Sequence, residues 1–165
     1  MTSKAYLAAP EAAITFLSST GTVVHTLTSL ASAAGRQSAQ HDFGASARAF
    51  IFEWRAWCQF ATAPVVGDSV DWYYKTSDGT HLDNDDGTGD AAVSAEDKLK
   101  NLKYIGSIIV DEASLTPEFS ASGVIAIYHR YIHIVAFNNT ADALSATALE
   151  HGFSLTPLSI QGQDT

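Results

Sequence analysis

Cysteine is nearly absent. Cys58 is the only one in 165 residues, so no disulfide can close within the chain, and a reducing compartment suits it. Basic residues are also scarce: nine lysines and arginines face 18 aspartates and glutamates, for a net charge of −9 and a pI near 4.8. A phosphate-binding surface needs clustered Lys and Arg. Only Lys98, Lys100 and Lys103 cluster, and Glu96 and Asp97 precede them. Neither nucleic acid nor an anionic membrane surface is therefore an expected partner. No apolar run approaches the ~20 residues of a membrane-spanning helix. The N-terminal "AYLAAPEAAITFLSS" imitates an export signal, but Pro10 and Glu11 interrupt it. The expectation is a cytoplasmic product. Glycine-rich phosphate loops and dinucleotide fingerprints are missing as well.

What remains is a chain that is 46% hydrophobic and only 16% charged, which places it among globular rather than disordered proteins. Its length suits one domain, residues 1–165, that buries roughly 70% of its extended surface. Residues 1–20 are candidates for an arm contacting neighbouring subunits. Abundant Ala, Ser and Thr with few charges suggest a surface partly covered by something else.

The dominant period is two. In "SARAFIFEWRAWCQFA" (46–61) one face carries Arg48, Phe50, Phe52, Trp54, Ala56, Cys58 and Phe60. The other carries Ala49, Ile51, Glu53, Arg55, Trp57 and Gln59. This predicts a strand with one buried face, bent to wrap a core, since its length would otherwise approach ~50 Å. Further strands are expected at 13–20, 22–31, 69–75, 104–110, 123–139 and 152–160, where β-branched and aromatic residues gather. Pro157 marks the last as an edge or a strand end. The small, polar segment 31–46 reads as a loop or hairpin end, and 140–152 as a loop. One short helix of about two turns is expected after Ser94, where "AEDKLKNL" places acids early and lysines late. The predicted fold class is all-β with one short helix, an antiparallel β-sandwich or jelly-roll-like fold.

The stretch "DNDDGTGD" (83–90) holds four aspartates and two glycines. A helix–loop–helix calcium site needs oxygen ligands at positions 1, 3 and 5, Gly at 6 and Glu at 12. Counting from Asp83 puts Gly87 at 5, Thr88 at 6 and Ser94 at 12, so the stretch reads as a solvated acidic turn. His129, Tyr131 and His133 fall on one face if 123–139 is a strand. Residues four apart on a strand lie ~13 Å apart, too far to share one ion. Cys58 sits in the apolar period of its strand and reads as buried and inert. "FSASG" (119–123) lacks the leading glycine of a serine-nucleophile elbow. Trp54, Trp57, Trp72, Tyr73 and Tyr74 could build a sugar-stacking platform or could simply pack two sheet faces. No catalytic, cofactor-binding or metal residue is assigned, no cofactor is expected, and the expected class is a non-enzyme.

The stretches "DWYYKTSDGTHLDNDDGTGDAAVSAEDKLKNLKYIGSIIVDEAS" (71–114) and "HRYIHIVAFNNTADALSATALEHGFSLTPLSIQ" (129–161) resemble small structural proteins of tailed bacteriophages. The resemblance implies a β-sandwich virion protein made in the host cytoplasm. It further implies a capsid cement (decoration) protein that binds the outer shell and stabilises it. Its partners would be itself, as a homotrimer, and the major capsid protein. A tail or head–tail connector protein and a carbohydrate-binding virion module are the alternatives.

Overall fold

A computed structural model of the protein describes residues 12–45, 49–93, 95–115 and 117–158. Two sheets pack face to face, as the sequence predicts for an all-β sandwich. Eleven strands form among the described residues: β1 (Ile14–Leu17), β2 (Val23–Val24), β3 (Ala34–Gln37), β4 (His41–Asp42), β5 (Ile51–Cys58), β6 (Ser69–Ser77), β7 (Ala91–Val93), β8 (Lys103–Ile109), β9 (Phe119–Ala126), β10 (Tyr131–Asn138) and β11 (Gly152–Pro157). The first sheet runs β2-β1-β11-β5-β9 and the second β7-β3-β10-β6-β8, with β4 also on β10. All pairings are antiparallel except β1 with β2.

The alternation in β5 sets the core. Phe52, Trp54, Ala56 and Cys58 are buried, while Glu53 and Arg55 are exposed on the outer face. Three rings from both sheets stack at the centre. Trp54 lies parallel to Phe153 at 6.0 Å, and Trp72 of the facing sheet meets Phe153 at 5.3 Å. Trp54 spans the gap so closely that two glycines are required beside it. A Cβ on Gly123 would stand 2.8 Å from its Nε1, and one on Gly106 2.9 Å from its ring. The edge strands β8 and β9 therefore carry glycine where they close over one indole.

Several sequence expectations are corrected. Segment 123–139 is not one strand but two, β9 in the first sheet and β10 in the second. Inward residues are odd-numbered up to Ile127 and even-numbered from Ile132, and the chain changes sheets in the intervening turn. Segment 22–31 pairs as a strand only through Val23–Val24, and further on Ser29 turns the chain with φ 55. Segment 31–46 is not all loop, since it contains β3 and β4. Gly35 lets β3 approach β10, where a Cβ would meet the Phe137 ring at 2.9 Å. The short helix is one 3-10 turn, Glu96–Leu99. Just beyond it, Leu102 N–H bonds Leu99 O at 2.9 Å, and both leucines join Val93, Val135 and Phe137 in a second small core. Ser94, Arg48 and most of the expected arm lie outside the described residues. Within the arm, Ile14–Leu17 pairs with β11 of its own chain. Pro157 is a strand end, and β11 is internal to its sheet.

Candidate functional site

The β6–β8 connection, residues 78–102, folds back over the outer face of the second sheet. There β10 turns Val135 and Phe137 outward, and the connection covers them through Val93, Leu99 and Leu102. The same face carries three polar side chains without solvent exposure: Gln37, Lys75 and His133.

Lys75 is the centre of this layer. An ammonium has three N–H donors and no acceptor, so it needs three oxygens when water is excluded. It finds Gln37 Oε1 at 2.8 Å, Asn84 Oδ1 at 2.9 Å and Gly87 O at 2.7 Å. Gln37 turns its own amide N–H groups onto the carbonyls of Asp86, Gly87 and Gly89 at 2.8–3.2 Å. The stretch 83–90 is therefore more than a solvated turn: it wraps a cation supplied by the chain. Burial lowers the Lys75 pKa, and Asp86, Asp83 and Asp85 oppose that shift.

Each aspartate of the stretch has a basic neighbour. Asp83 accepts from Thr76 N–H at 2.7 Å, Thr76 Oγ1 at 2.8 Å and Lys103 Nζ at 3.0 Å. Burial would raise its pKa, but these bonds outweigh burial and lower it. Asp85 and Asp86 share Lys98. Asp90 takes both Arg36 Nε at 2.8 Å and Nη2 at 2.9 Å, closing the loop onto β3. These carboxylates are occupied within the chain, and no three His, Cys, Asp or Glu side chains converge as a metal cluster among the described residues.

The histidines do not share one face as the sequence suggested. His133 projects from β10 into the buried layer, where its Nδ1 donates to Ser38 O at 3.0 Å and its Nε2 lacks a hydrogen-bond partner. Burial pushes its pKa down to about 4. His129 precedes β10 and is exposed beside an open depression that includes Asp78, His81 and Leu82. Asp78 is engaged there by the His81 ring at 2.9 Å. His25 and His151 are buried elsewhere, each bonding a carbonyl oxygen through Nε2. Cys58 is buried, and its thiol is pushed up to about 12 by burial, then by Glu118. The five aromatics of the sugar platform are dispersed: Trp54 and Trp72 lie in the core, Trp57 donates Nε1–H to Leu149 O, and Tyr73 and Tyr74 pack on opposite faces of β6. The exposed aromatic pair is instead Phe50 stacked on Tyr128, with ring centroids 5.8 Å apart.

The opposite end of the sandwich contrasts with the acidic stretch. Connections β5–β6, β8–β9 and β10–β11 meet there through Gly67 N–H to Val110 O and Ala61 N–H to Ala143 O, both 2.9 Å. They carry Asp68, Asp111, Glu112, Glu118, Asp142 and Glu150, with no lysine or arginine in the three segments. None of these six carboxylates forms an ion pair among the described residues. Val65, Val66, Leu115 and Leu149 stand more than half exposed on the same loops. Sequence reading missed this end because its acids are spread over three distant segments, and only the strand pairing gathers them. Among known proteins, no family model matches the chain, and no curated protein matches it.

Proposed function

We propose that the chain is a non-enzymatic structural protein of a tailed-phage virion, a cement (decoration) protein that binds the outer capsid shell and stabilises it. The observation that carries this reading is the division of charge. The carboxylates of the 83–90 stretch are held by the chain's own Arg36, Lys98 and Lys103. The loop end keeps six carboxylates that form no ion pair among the described residues, beside four exposed apolar side chains. Such a surface suits a partner with basic and apolar groups and repels packaged DNA. The resemblance of residues 71–114 and 129–161 to phage structural proteins supplies the partner, the major capsid protein.

The mechanism is linkage. A protein that binds only the assembled shell stabilises it by mass action, about 2.7 kcal/mol per site at a free concentration 100 times Kd. The test is co-sedimentation of the purified protein with emptied capsids, with the capsid disruption temperature as a second readout. Binding that raises the disruption temperature and weakens with salt supports the reading. Protein that stays in the supernatant and leaves the disruption temperature unchanged overturns it. Rings of six or twelve copies would point to a connector or tail protein, and binding on a glycan array to a sugar-binding module.

A further inference from the structure

Among the described residues, Arg55 is the one lysine or arginine with no oxygen partner in the chain. Arg36 holds Asp90, Lys98 holds Asp85, Lys100 holds Asp97, Lys103 holds Asp83, Arg130 holds Asp42, and Lys75 has its three oxygens. Arg55 projects from β5 onto the outer face of the first sheet. Glu53, also exposed and also outside any ion pair, sits one outward position away. The neighbours on β11 and β9 are small: Ser154 and Ser122 flank Arg55, while Thr156 and Val124 flank Glu53. In the second sheet the chain's own connection covers the outer face around Val135 and Phe137 of β10, but the first sheet shows an exposed pair, Glu53 and Arg55, at the centre of its outer face.

The outward row of β5 reads Ile51, Glu53, Arg55, Trp57: apolar, acid, base, apolar. Turned end for end, it complements itself. We propose that a second copy of this chain docks on this face. The two-fold axis runs across the strands at position 54, with the two β5 strands antiparallel. Glu53 then faces the partner's Arg55 and Arg55 faces the partner's Glu53. Ile51 of each copy lies over the partner's Trp57. On the flanking strands Val124 meets the partner's Ser122 and Thr156 meets the partner's Ser154, so no like charges oppose one another.

Size sets the strength of this contact. Four strands at ~4.8 Å spacing and about seven residues at ~3.4 Å give a footprint of roughly 450 Å² per copy. Twice that falls below the ~1,200–2,000 Å² of stable interfaces, so the dimer depends on concentration and weakens with salt. The contact adjoins the loop end at Trp57, whose Nε1–H bonds Leu149 O, but its test does not depend on the shell reading. A two-fold contact also closes at two copies, whereas the resemblance implies three.

The test is sedimentation equilibrium over a concentration series from ~1 μM to ~1 mM. The wild-type chain is expected to pass from monomer to dimer. Glu53→Arg and Arg55→Glu each set like charges face to face and should weaken the dimer at least ~10-fold. The double variant E53R/R55E restores opposite charges and should recover most of that loss. Both positions are exposed, so thermal melts should show that the variants stay folded. A monomer throughout, a trimer, a dimer indifferent to the single swaps, or a double variant as weak as the singles would each overturn the proposal.

Discussion

Replacing Lys75 by methionine isolates the contribution of the caged ammonium. Methionine keeps most of the aliphatic stem in a site with no solvent exposure and removes only the charged donor. Three acceptors then lose a charged donor: Gln37 Oε1 is left bare, Asn84 Oδ1 keeps Asp86 N–H at 3.3 Å, and Gly87 O keeps Gln37 Nε2 at 3.2 Å. Each hydrogen bond to a charged group is worth about 1.5–3 kcal/mol. The substitution also removes the cost of holding a charge away from water, so the net falls well below the sum. A loss of about 3 kcal/mol is the working figure. For a chain of this size that corresponds to a fall in Tm of about 6–12 °C. Denaturant melts give the same quantity from the midpoint, provided the slope is unchanged. Hydrogen exchange locates it, because protection should fall first in residues 83–90 and β7 while β5 and β11 keep theirs. The exposed Asp85 partner of Lys98 supplies the contrast: Asp85→Asn should move the melt far less than Lys75→Met does. A Lys75→Met chain as stable as wild type would refute the cage argument.

Acid should destabilise the fold in a defined window. His25 and His133 have pKa values lowered to about 4 from 6.5 by burial, so the unfolded chain binds their protons first as pH falls. Stability is full above pH 6.5, declines towards pH 4, and loses up to about 3 kcal/mol for each histidine. A Tm that stays flat between pH 7 and pH 5 would contradict this, and His133→Asn should flatten the His133 share. Gly123→Ala brings a Cβ to 2.8 Å from Trp54 Nε1, and overpacking of this kind costs about 1–3 kcal/mol, read by melts and by Trp fluorescence. Phe153→Ala removes the ring between Trp54 and Trp72 and should cost about 3–5 kcal/mol, with collapse of the near-UV circular dichroism signal. Cys58 should resist thiol reagents until denaturant unfolds the chain, and rapid labelling of the native protein would contradict its burial.

The sequence announces some strands and hides others for physical reasons. β5 is legible because its two faces meet different surroundings, so apolar and charged residues separate at period two. β3 is hidden because the feature that lets it join the sheet, Gly35 against Phe137, is one that strand propensity counts against. The boundary between β9 and β10 is written in "GVIAIYHRYIHIVAFNN" as a change from odd to even inward positions across Tyr128, His129 and Arg130. Composition does not reveal it, since both sides are equally rich in β-branched and aromatic residues. Tracking the parity of the apolar positions does.

The caged lysine was harder to read, and the reason is geometric. Lys75 alternates outward from β6, where a lysine ordinarily reaches water, and nothing in "SVDWYYK" says otherwise. The clue lies on the neighbouring strand. Outward positions of β10 carry Val135 and Phe137, which a solvent-facing sheet would not expose in succession, so something must cover that face. Once the face is covered, the ammonium of Lys75 must be met by oxygens from the cover. The oxygen-rich segment that begins at Asp83, a few residues beyond the end of β6, lies within reach. An acidic, glycine-rich loop after a strand with an outward lysine near its end thus admits a reading besides calcium or water: the cation is already part of the chain. Removing that cation separates the two ideas, since calcium should leave the wild-type melt unchanged while Lys75→Met lowers it.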